Sequence, residues 1–524
     1  MLIIFIFLVA LALWFIAPWG QFPLNDDWVY TKNVVDSLSL GKFTVSSGQY
    51  AYAIPQVLVG LTAIKSVEEP FLALRWIGIA SGVLSALLVS LLCLRALEMR
   101  NSVWLLLSSI SVFFFFPCLQ TSFSFMTDMP AFLLWVASVW ALANFLKKKT
   151  IQNVSLAFFV NLLAVSERQL AALIPLSVLV FQNRDFRLRE GWNLILKRIK
   201  KNIPFLMFLI PVVFIEWWWK KISPLKGVPL GFSPNPGVFI RFFCHLVCLG
   251  WLAIPFVGIP KLSWKNLEGI PRKVFRNSLS LFLVGGVLYE GPFLASGGFS
   301  LPPFFNNLLS DVGILPVVLQ GFSEPIFPIW FKVILLLVGV WGAFQIIKGF
   351  SLLWSEVSLS PIKQTIFVSS FGYFIFICFR YAQFDRYAIP VVPLCLLAIL
   401  RLCKPLPKPS VGSLVFPAIC ASVYLSFSST LVADYFRWNE ARWEAIKQAH
   451  SLGIAREKLW GGYEYLGWYN LVSTWEQQKK LPYVIRPTPV DGFEILKKVP
   501  YRSFWGTRNR EMLLLKEKET SLDS

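Results

Sequence analysis

Residues 2–30 read LIIFIFLVALALWFIAPWGQFPLNDDWVY, an apolar run followed closely by the adjacent carboxylates of Asp26 and Asp27. Similar apolar runs recur along the 524-residue chain, and runs of roughly 18–20 residues cross a bilayer core as a helix. The chain is 56% hydrophobic and only 15% charged, whereas soluble proteins carry about a quarter charged residues. The runs lack the alternation of barrel strands. The sequence therefore predicts an all-α polytopic membrane protein.

The apolar pattern predicts about 13 transmembrane helices and a chain in two parts. Residues 1–431 form the predicted transmembrane domain, with a first outer loop at 20–70, and residues 432–524 form a C-terminal region of mixed, α/β character. The run at 51–64 is too short to span and predicts an interfacial or re-entrant helix. The expected spans are 2–19, 71–94, 102–119, 129–146, 151–165, 169–182, 203–219, 237–259, 278–291, 327–347, 364–381, 387–402 and 411–431.

The formal net charge of +20 is explained by topology, without nucleic acid as a partner. Basic residues concentrate in alternate loops, and such loops are usually cytoplasmic. With the N-terminus inside, the first loop and the C-terminal region are predicted to be extracytoplasmic, together with the Gly- and Pro-rich loop at 292–326. The basic loops lie at 95–100, 147–149, 184–201, 261–276, 348–363 and 401–408.

The eight cysteines lie in or beside apolar segments, so we expect small buried side chains without disulfides. Cys244, His245 and Cys248 resemble a fragment of a metal site. The chain has only two histidines and no second ligand pair, so the sequence predicts no metal there. Residues 2–19 lack a basic start and a cleavage motif, which favours an uncleaved first span over a signal peptide.

The Asp26–Asp27 pair has two interpretations. A short surface helix is predicted from about this point to Gly41, and an acidic residue at a helix N-terminus acts as a cap and interacts favourably with the helix dipole. Alternatively, a carboxylate on the outer face can take a proton from an acceptor. Spacing alone favours the cap.

Three further polar motifs fall on the same predicted side of the membrane. Each has a structural alternative, namely a helix cap, a connecting turn, and an internal ion pair or lipid headgroup contact. Together they predict an outward-facing polar cavity above a hydrophobic body. The residues are Asp128 in SFMTDMP, Glu167, Arg168 and Gln169 in SERQ, and Arg380, Asp385, Arg386 and Tyr387 in RYAQFDRY.

These motifs resemble a known family. The first loop, with QVLVG and LRWIG after it, is similar to the opening of GT-C fold glycosyltransferases, in particular the protein O-mannosyltransferase superfamily and the bacterial lipid A aminoarabinose transferases. SFMTDMPAFLL, ERQ, FDRYAIPVVPL and ARWEAI with LWGGYEYLGWYN are similar to blocks in bacterial members. The resemblance covers nearly the whole chain.

The resemblance implies an inverting enzyme of the bacterial inner membrane. It would move a sugar from a polyprenyl-phosphate carrier to a lipid, glycan or protein acceptor on the extracytoplasmic side. Asp26 matches the catalytic base, Asp27 and Tyr30 match the positions after it, and Asp128 matches the second acidic position. Arg168 and Arg386, with Arg380 third, are the expected phosphate ligands because guanidinium binds phosphate bidentately.

The sequence departs from the aminoarabinose transferases at one point. SSGQYAYAIPQ stands where that group has Lys-Pro-Pro, so a lipid A acceptor does not follow. The Asp-x-Asp metal signature of oligosaccharyltransferases is also absent in clear form. We therefore expect no cofactor and a metal-independent reaction, with a divalent metal left open.

Two other functions fit a cavity of this kind. A transporter or flippase for a lipid-linked sugar should show ionisable residues at mid-membrane and two related halves, and no internal repeat is present. An O-antigen ligase or polymerase relies on a late outer loop with Arg and His, but the loop at 292–326 has no Lys, Arg or His.

Overall fold

The structure of the 524-residue chain is a computed structural model. It describes residues 1–46, 48–64, 69–183, 192–223, 237–258, 308–310, 313–314, 326–357, 360–380, 384–404, 411–471, 481–506 and 509–518. The expected span at 278–291 and most of the loop at 292–326 lie outside these ranges. The total of 13 spans therefore stays a prediction.

The first half of the described chain is helical. Its helices are α1 Leu2–Ile16, α2 Asp27–Leu40, α3 Ile54–Ala63, α4 Pro70–Ala96, α5 Ser102–Phe113, α6 Phe116–Ser122, α7 Asp128–Lys147, α8 Ile151–Glu167, α9 Leu173–Gln182, α10 Trp192–Ile222 and α11 Gly237–Gly250. Short 3₁₀ helices lie at Gln169–Ala172 and Trp251–Phe256.

The second half is helical until a sheet near its end. Its helices are α12 Ile329–Trp354, α13 Pro361–Cys378, α14 Val392–Cys403, α15 Val411–Ser451 and α16 Tyr463–Trp468, with 3₁₀ helices at Asp385–Val391 and Arg456–Lys458. The strands are β1 Leu309–Ser310, β2 Gly313–Ile314, β3 Leu459–Trp460, β4 Tyr483–Arg486, β5 Phe493–Arg502 and β6 Asn509–Glu517.

The apolar helices confirm an integral membrane protein. Six segments of the described chain are long and apolar enough to cross a bilayer, and α5 with α6 forms a seventh that bends by 71°. Pro117 lies in the first turn of α6, where a proline is tolerated because no helical hydrogen bond is lost. The short helices α1, α3, α8, α9 and the segment Arg241–Phe256 are apolar as well. No disulfide joins the described cysteines.

The surface helix predicted after the Asp pair is α2. It ends at Gly41, whose φ of 63° lies in the left-handed region that glycine adopts without strain. Trp28, Val34 and Val57 are buried with Leu74 of α4 in one small apolar cluster. This burial fixes the helix against the top of α4, so the residues at its N-terminus have a defined position.

The C-terminal region is joined to the bundle by a single long helix. Helix α15 has 41 residues and continues without a break through the division expected at 431/432, which stays a prediction. After it, four strands form a sheet in the order β3-β4-β6-β5, in which only the β3–β4 pair is parallel. Helix α15 packs against β5 and β6, and α16 packs on α2.

Candidate active site

The two adjacent carboxylates have different environments. Asp26 precedes α2 in the N-cap position, but its side chain makes no capping hydrogen bond. Its Oδ2 instead accepts a hydrogen bond from Nη2 of Arg386 at 2.9 Å, and the Asp26 side chain remains 33% exposed. The cap that spacing favoured is thus absent, because an arginine 360 residues away in sequence binds the carboxylate.

Asp27 is buried, with a relative exposure of 2%. Its Oδ1 accepts a hydrogen bond from the backbone N–H of Leu24 at 2.6 Å. Burial raises the pKa of Asp27 well above its ordinary value, while nearby Arg75 and the Leu24 N–H act in the opposite direction. The Asp27 side chain therefore closes the turn ahead of α2.

We expect Asp27→Asn to change the pH dependence of stability. Asparagine keeps an oxygen for the Leu24 N–H but does not titrate. Because the folded-state pKa is raised, the contribution of Asp27 is full below about pH 4 and is lost as pH rises through that pKa. The wild-type melting temperature should fall relative to that of Asp27→Asn as pH rises above about 4, the ordinary pKa of a carboxyl group. Parallel melting curves would contradict a buried, protonated Asp27.

Four charged side chains alternate in sign across the site. Arg386 binds Asp26 and also lies 3.9 Å from Asp128, measured from Nη1 to Oδ2. Asp128, whose side chain is 2% exposed, accepts a hydrogen bond from Nη1 of Arg168 at 2.8 Å. We call the row Asp26, Arg386, Asp128 and Arg168 the charge ladder. Buried charges persist where each has a partner of opposite sign.

The local fold explains how the charge ladder is assembled. Asp128 is the first residue of α7, and Arg168 directly follows α8. Arg386 lies in the 3₁₀ helix before α14. Each residue thus sits at an end of an apolar helix, where side chains leave the hydrocarbon region, and the packing of the helices brings these ends together.

Arg380 and Tyr387 lie at the edge of the ladder. The guanidinium carbon of Arg380 is 5.1 Å from the centroid of the Tyr387 ring, and that of Arg168 is 5.9 Å from it. Among the described residues no carboxylate forms an ion pair with Arg380, and its Nε is buried without a hydrogen-bond partner. Arg380 is thus available to an anion in a way that Arg168 and Arg386 are not.

Tyr30 is buried in α2, one turn after Asp26. Burial raises the pKa of its phenol, and the nearby Asp26 carboxylate adds to this while Arg168 opposes it. Tyr30 therefore lies beside the ladder as a neutral side chain.

Glu167 and Gln169 brace the first loop. The Oε2 atom of Glu167 accepts from the backbone N–H of Gln56 at 3.0 Å, and its carbonyl accepts from the N–H of Ala53. Gln169 donates through Nε2 to the carbonyl of Tyr50 at 2.9 Å. Both residues hold the second half of the loop next to Arg168.

Asp385 has a similar bracing role. It accepts hydrogen bonds from the N–H groups of Leu308 at 3.2 Å and Leu309 at 2.8 Å. A third bond, from the N–H of Arg386, is 2.9 Å long. The Asp385–Arg386 side-chain pair considered from sequence is replaced by these backbone contacts, which leave the Arg386 guanidinium to Asp26 and Asp128.

An apolar pocket adjoins the ladder. Asp128 and Arg168 form its polar edge, and its remaining lining includes Phe132, Trp135 and Ile389. The pocket therefore combines a charged edge with an apolar interior.

Sequence reasoning missed Arg75. This buried side chain on α4 donates to the carbonyls of Gly20 at 2.9 Å and Phe22 at 3.0 Å, and also to that of Pro18. Its guanidinium holds the chain between α1 and α2. The available signal was an arginine inside an apolar span, which is costly unless it has partners.

Within the described ranges, the arrangement of potential ligand side chains gives no support for a metal site. There, no three His, Cys, Asp or Glu side chains are grouped so as to hold an ion. The metal-independent reaction expected from sequence stays a prediction.

Fold and site define a helical integral membrane protein with a charge-lined site where helix ends meet. No protein-family model and no curated protein sequence matches the chain. In structure it is similar to ArnT from Cupriavidus metallidurans in the apo state, with a TM-score of 0.49 and 11% identity over 98% of this chain and 97% of that one. For ArnT bound to undecaprenyl phosphate the TM-score is 0.46 and the identity 10%, with the same coverage.

A third similar structure is the archaeal oligosaccharyltransferase AglB from Archaeoglobus fulgidus, in complex with an inhibitory peptide and a dolichol-phosphate. Its TM-score is 0.42 at 15% identity, and the match covers 86% of this chain and 59% of that one. ArnT and AglB are GT-C fold proteins, the superfamily that the motifs of this chain resemble. All three TM-scores are below 0.5, so these similarities assign no function to the site.

Proposed function

We propose that this protein is an inverting glycosyltransferase that moves a sugar from a polyprenyl-phosphate carrier to an extracytoplasmic acceptor, with Asp26 as general base. The observation that carries the proposal is the ladder itself. It includes one partly exposed carboxylate, Asp26, whose direction is fixed by Arg386 at 2.9 Å. A general base needs such a fixed position within hydrogen-bond reach of the hydroxyl that it deprotonates.

The proposed transfer step uses Asp26 as the base. The Asp26 carboxylate takes the proton of the acceptor hydroxyl as that oxygen forms a bond to C1 of the sugar. The bond between C1 and the phosphate oxygen breaks on the opposite face, and polyprenyl phosphate leaves with the electron pair. The configuration at C1 is inverted. The leaving phosphate requires positive neighbours rather than an acid catalyst.

Arg380 is the best candidate for the donor phosphate. Arg168 and Arg386 are each bound to a carboxylate, whereas Arg380 forms no ion pair within the described residues. Its backbone carbonyl accepts a hydrogen bond from Arg241, which holds this part of the chain. The ranking expected from sequence, with Arg380 third, is therefore reversed in the proposal.

We expect Arg380→Ala to raise the donor KM by about 10-fold or more, because a charge-assisted hydrogen bond contributes about 1.5–3 kcal/mol. The acceptor KM should change little. Arg437 is a matched control, since its guanidinium also lies over an aromatic ring, that of Phe504 at 4.2 Å. Steady-state kinetics with varied donor concentration measures the effect. An unchanged donor KM removes Arg380 from the phosphate site.

Transfer in detergent micelles separates an enzyme from a flippase, because a flippase forms no product without a bilayer. Purified protein is incubated with polyprenyl-phosphate sugars and extracted envelope acceptors, and products are identified by mass spectrometry. Comparing lipids and glycans of a deletion strain with those of its parent would identify the acceptor. A glycoconjugate that lacks one sugar is expected, and unchanged glycoconjugates would contradict the proposal.

A further inference from the structure

The C-terminal region reaches the loop that carries Asp26. Glu464 lies on the short helix α16 and is 2% exposed. Its Oε1 accepts a hydrogen bond from the backbone N–H of Asn25 at 3.1 Å, across 439 residues of sequence. Asn25 directly precedes Asp26, so this bond acts one residue away from the proposed base.

Asn25 has a conformation that needs support. Its φ is 52°, in the left-handed region that costs most residues free energy and that asparagine adopts more readily than others. The next turn is closed by the hydrogen bond from the Asp27 N–H to the Leu24 carbonyl at 3.2 Å. The backbone conformation at Asn25 therefore sets the position from which the Asp26 side chain reaches Arg386.

Glu464 is itself held rigidly. Its Oε2 accepts from Nη1 of Arg442 at 2.8 Å, and Nη2 of Arg442 donates to Asn439 at 2.9 Å. The Arg442 guanidinium also lies 4.6 Å from the Trp438 ring centroid. Gly462 makes room for this arrangement, since a Cβ there would lie 2.6 Å from Nη1 of Arg442. The Glu464 carboxylate thus cannot move without breaking a buried ion pair.

A second contact, between α16 and α2, does not involve Asn25. Lys32, about two turns after Asn25, donates through Nζ to the carbonyl of Trp468 at 3.3 Å. The Trp28 and Tyr463 rings also meet edge to face, with centroids 5.8 Å apart. Several contacts therefore hold α16 against α2. Of the three named here, the hydrogen bond of Glu464 is the one made to the backbone next to Asp26.

We infer that Glu464 is a positioning residue for Asp26, and that the C-terminal region thereby completes the active site. This inference rests on the proposed role of Asp26 as base. Loss of the Glu464 contact lets the Asn25 backbone relax and turns the Asp26 carboxylate away from the acceptor hydroxyl. A displacement of about 1 Å at a reacting group can cost roughly 100-fold in rate.

The test compares Glu464→Ala, Glu464→Gln and Lys32→Ala. Glu464→Ala should lower kcat by about 10- to 100-fold with donor and acceptor KM nearly unchanged. Glu464→Gln, which keeps one acceptor oxygen, should fall between it and the wild type and serves if the alanine variant misfolds. Lys32→Ala should keep the wild-type kcat. A wild-type kcat in either folded Glu464 variant, or an equal loss in Lys32→Ala, would overturn the inference.

Hydrogen exchange supplies a readout that does not need activity. In wild-type protein the Asn25 amide should exchange slowly, and in Glu464→Ala a peptide covering residues 24–28 should exchange faster while α7 is unchanged. Unchanged exchange there would also overturn the inference. If the wild-type protein transfers no sugar, the proposed function fails, yet the exchange experiment still decides whether Glu464 holds this loop.

Discussion

We expect Asp26→Asn to transfer sugar about 10²- to 10⁴-fold more slowly than the wild-type protein, the range typical for loss of a general base. Asparagine has nearly the same size and keeps an oxygen that can face Arg386, so the fold should persist. What it lacks is the capacity to accept the proton of the acceptor hydroxyl. The measurement is the single-turnover rate with saturating polyprenyl-phosphate sugar.

Two other Asp→Asn variants serve as controls for this result. Asp36 lies on the same helix α2 and belongs to no ion pair described here, so its substitution should leave the rate unchanged. Asp27→Asn tests the neighbouring residue, whose carboxyl is occupied by the Leu24 N–H. If Asp26→Asn is fully active and Asp27→Asn or Asp128→Asn is not, the base is that other residue.

Arg386→Ala should be the second most damaging change. It removes the partner of Asp26 at 2.9 Å and the second cation near Asp128. The Asp26 carboxylate then loses its direction, and the charge ladder retains two carboxylates and a single guanidinium. We expect transfer to fall about 100-fold or more, chiefly through kcat, because Arg386 orients the base and does not hold the donor phosphate in this proposal. Stability should fall by about 3 kcal/mol, the low end for a broken buried pair, since Asp26 is 33% exposed.

Arg401 offers a matched control for Arg386. It is also an ion-paired arginine, with its Nη2 2.6 Å from Glu356, but it lies at the other end of the segment Asp385–Cys403. Arg401→Ala should reduce stability without a selective loss of transfer. Arg386→Lys should remain impaired, because a single ammonium lacks the planar fork that serves two carboxylates. Wild-type kinetics in Arg386→Ala would remove Arg386 from the site.

Part of this site could be predicted because polar residues at the ends of apolar helices must lie outside the hydrocarbon core or face a polar cavity. Asp128 and Arg168 each stand at a helix end, and the alternation of basic loops assigns those ends to one side of the membrane. That reasoning brings the four motifs to the same face. It assigns no partner to any of them, because ion pairs depend on which helices pack together.

The sequence by itself determined a helical membrane protein, since apolar segments of this length can satisfy their backbone in lipid only as helices. It also determined the short helix that begins at the Asp pair and ends before Gly41. Only the tertiary structure decided that Asp26 is partly exposed and bound to Arg386 while Asp27 is buried. The same holds for Glu464, whose partner Asn25 is 439 residues away. The physical reason is that burial and charge pairing are set by contacts between distant segments, and local spacing carries no information about them.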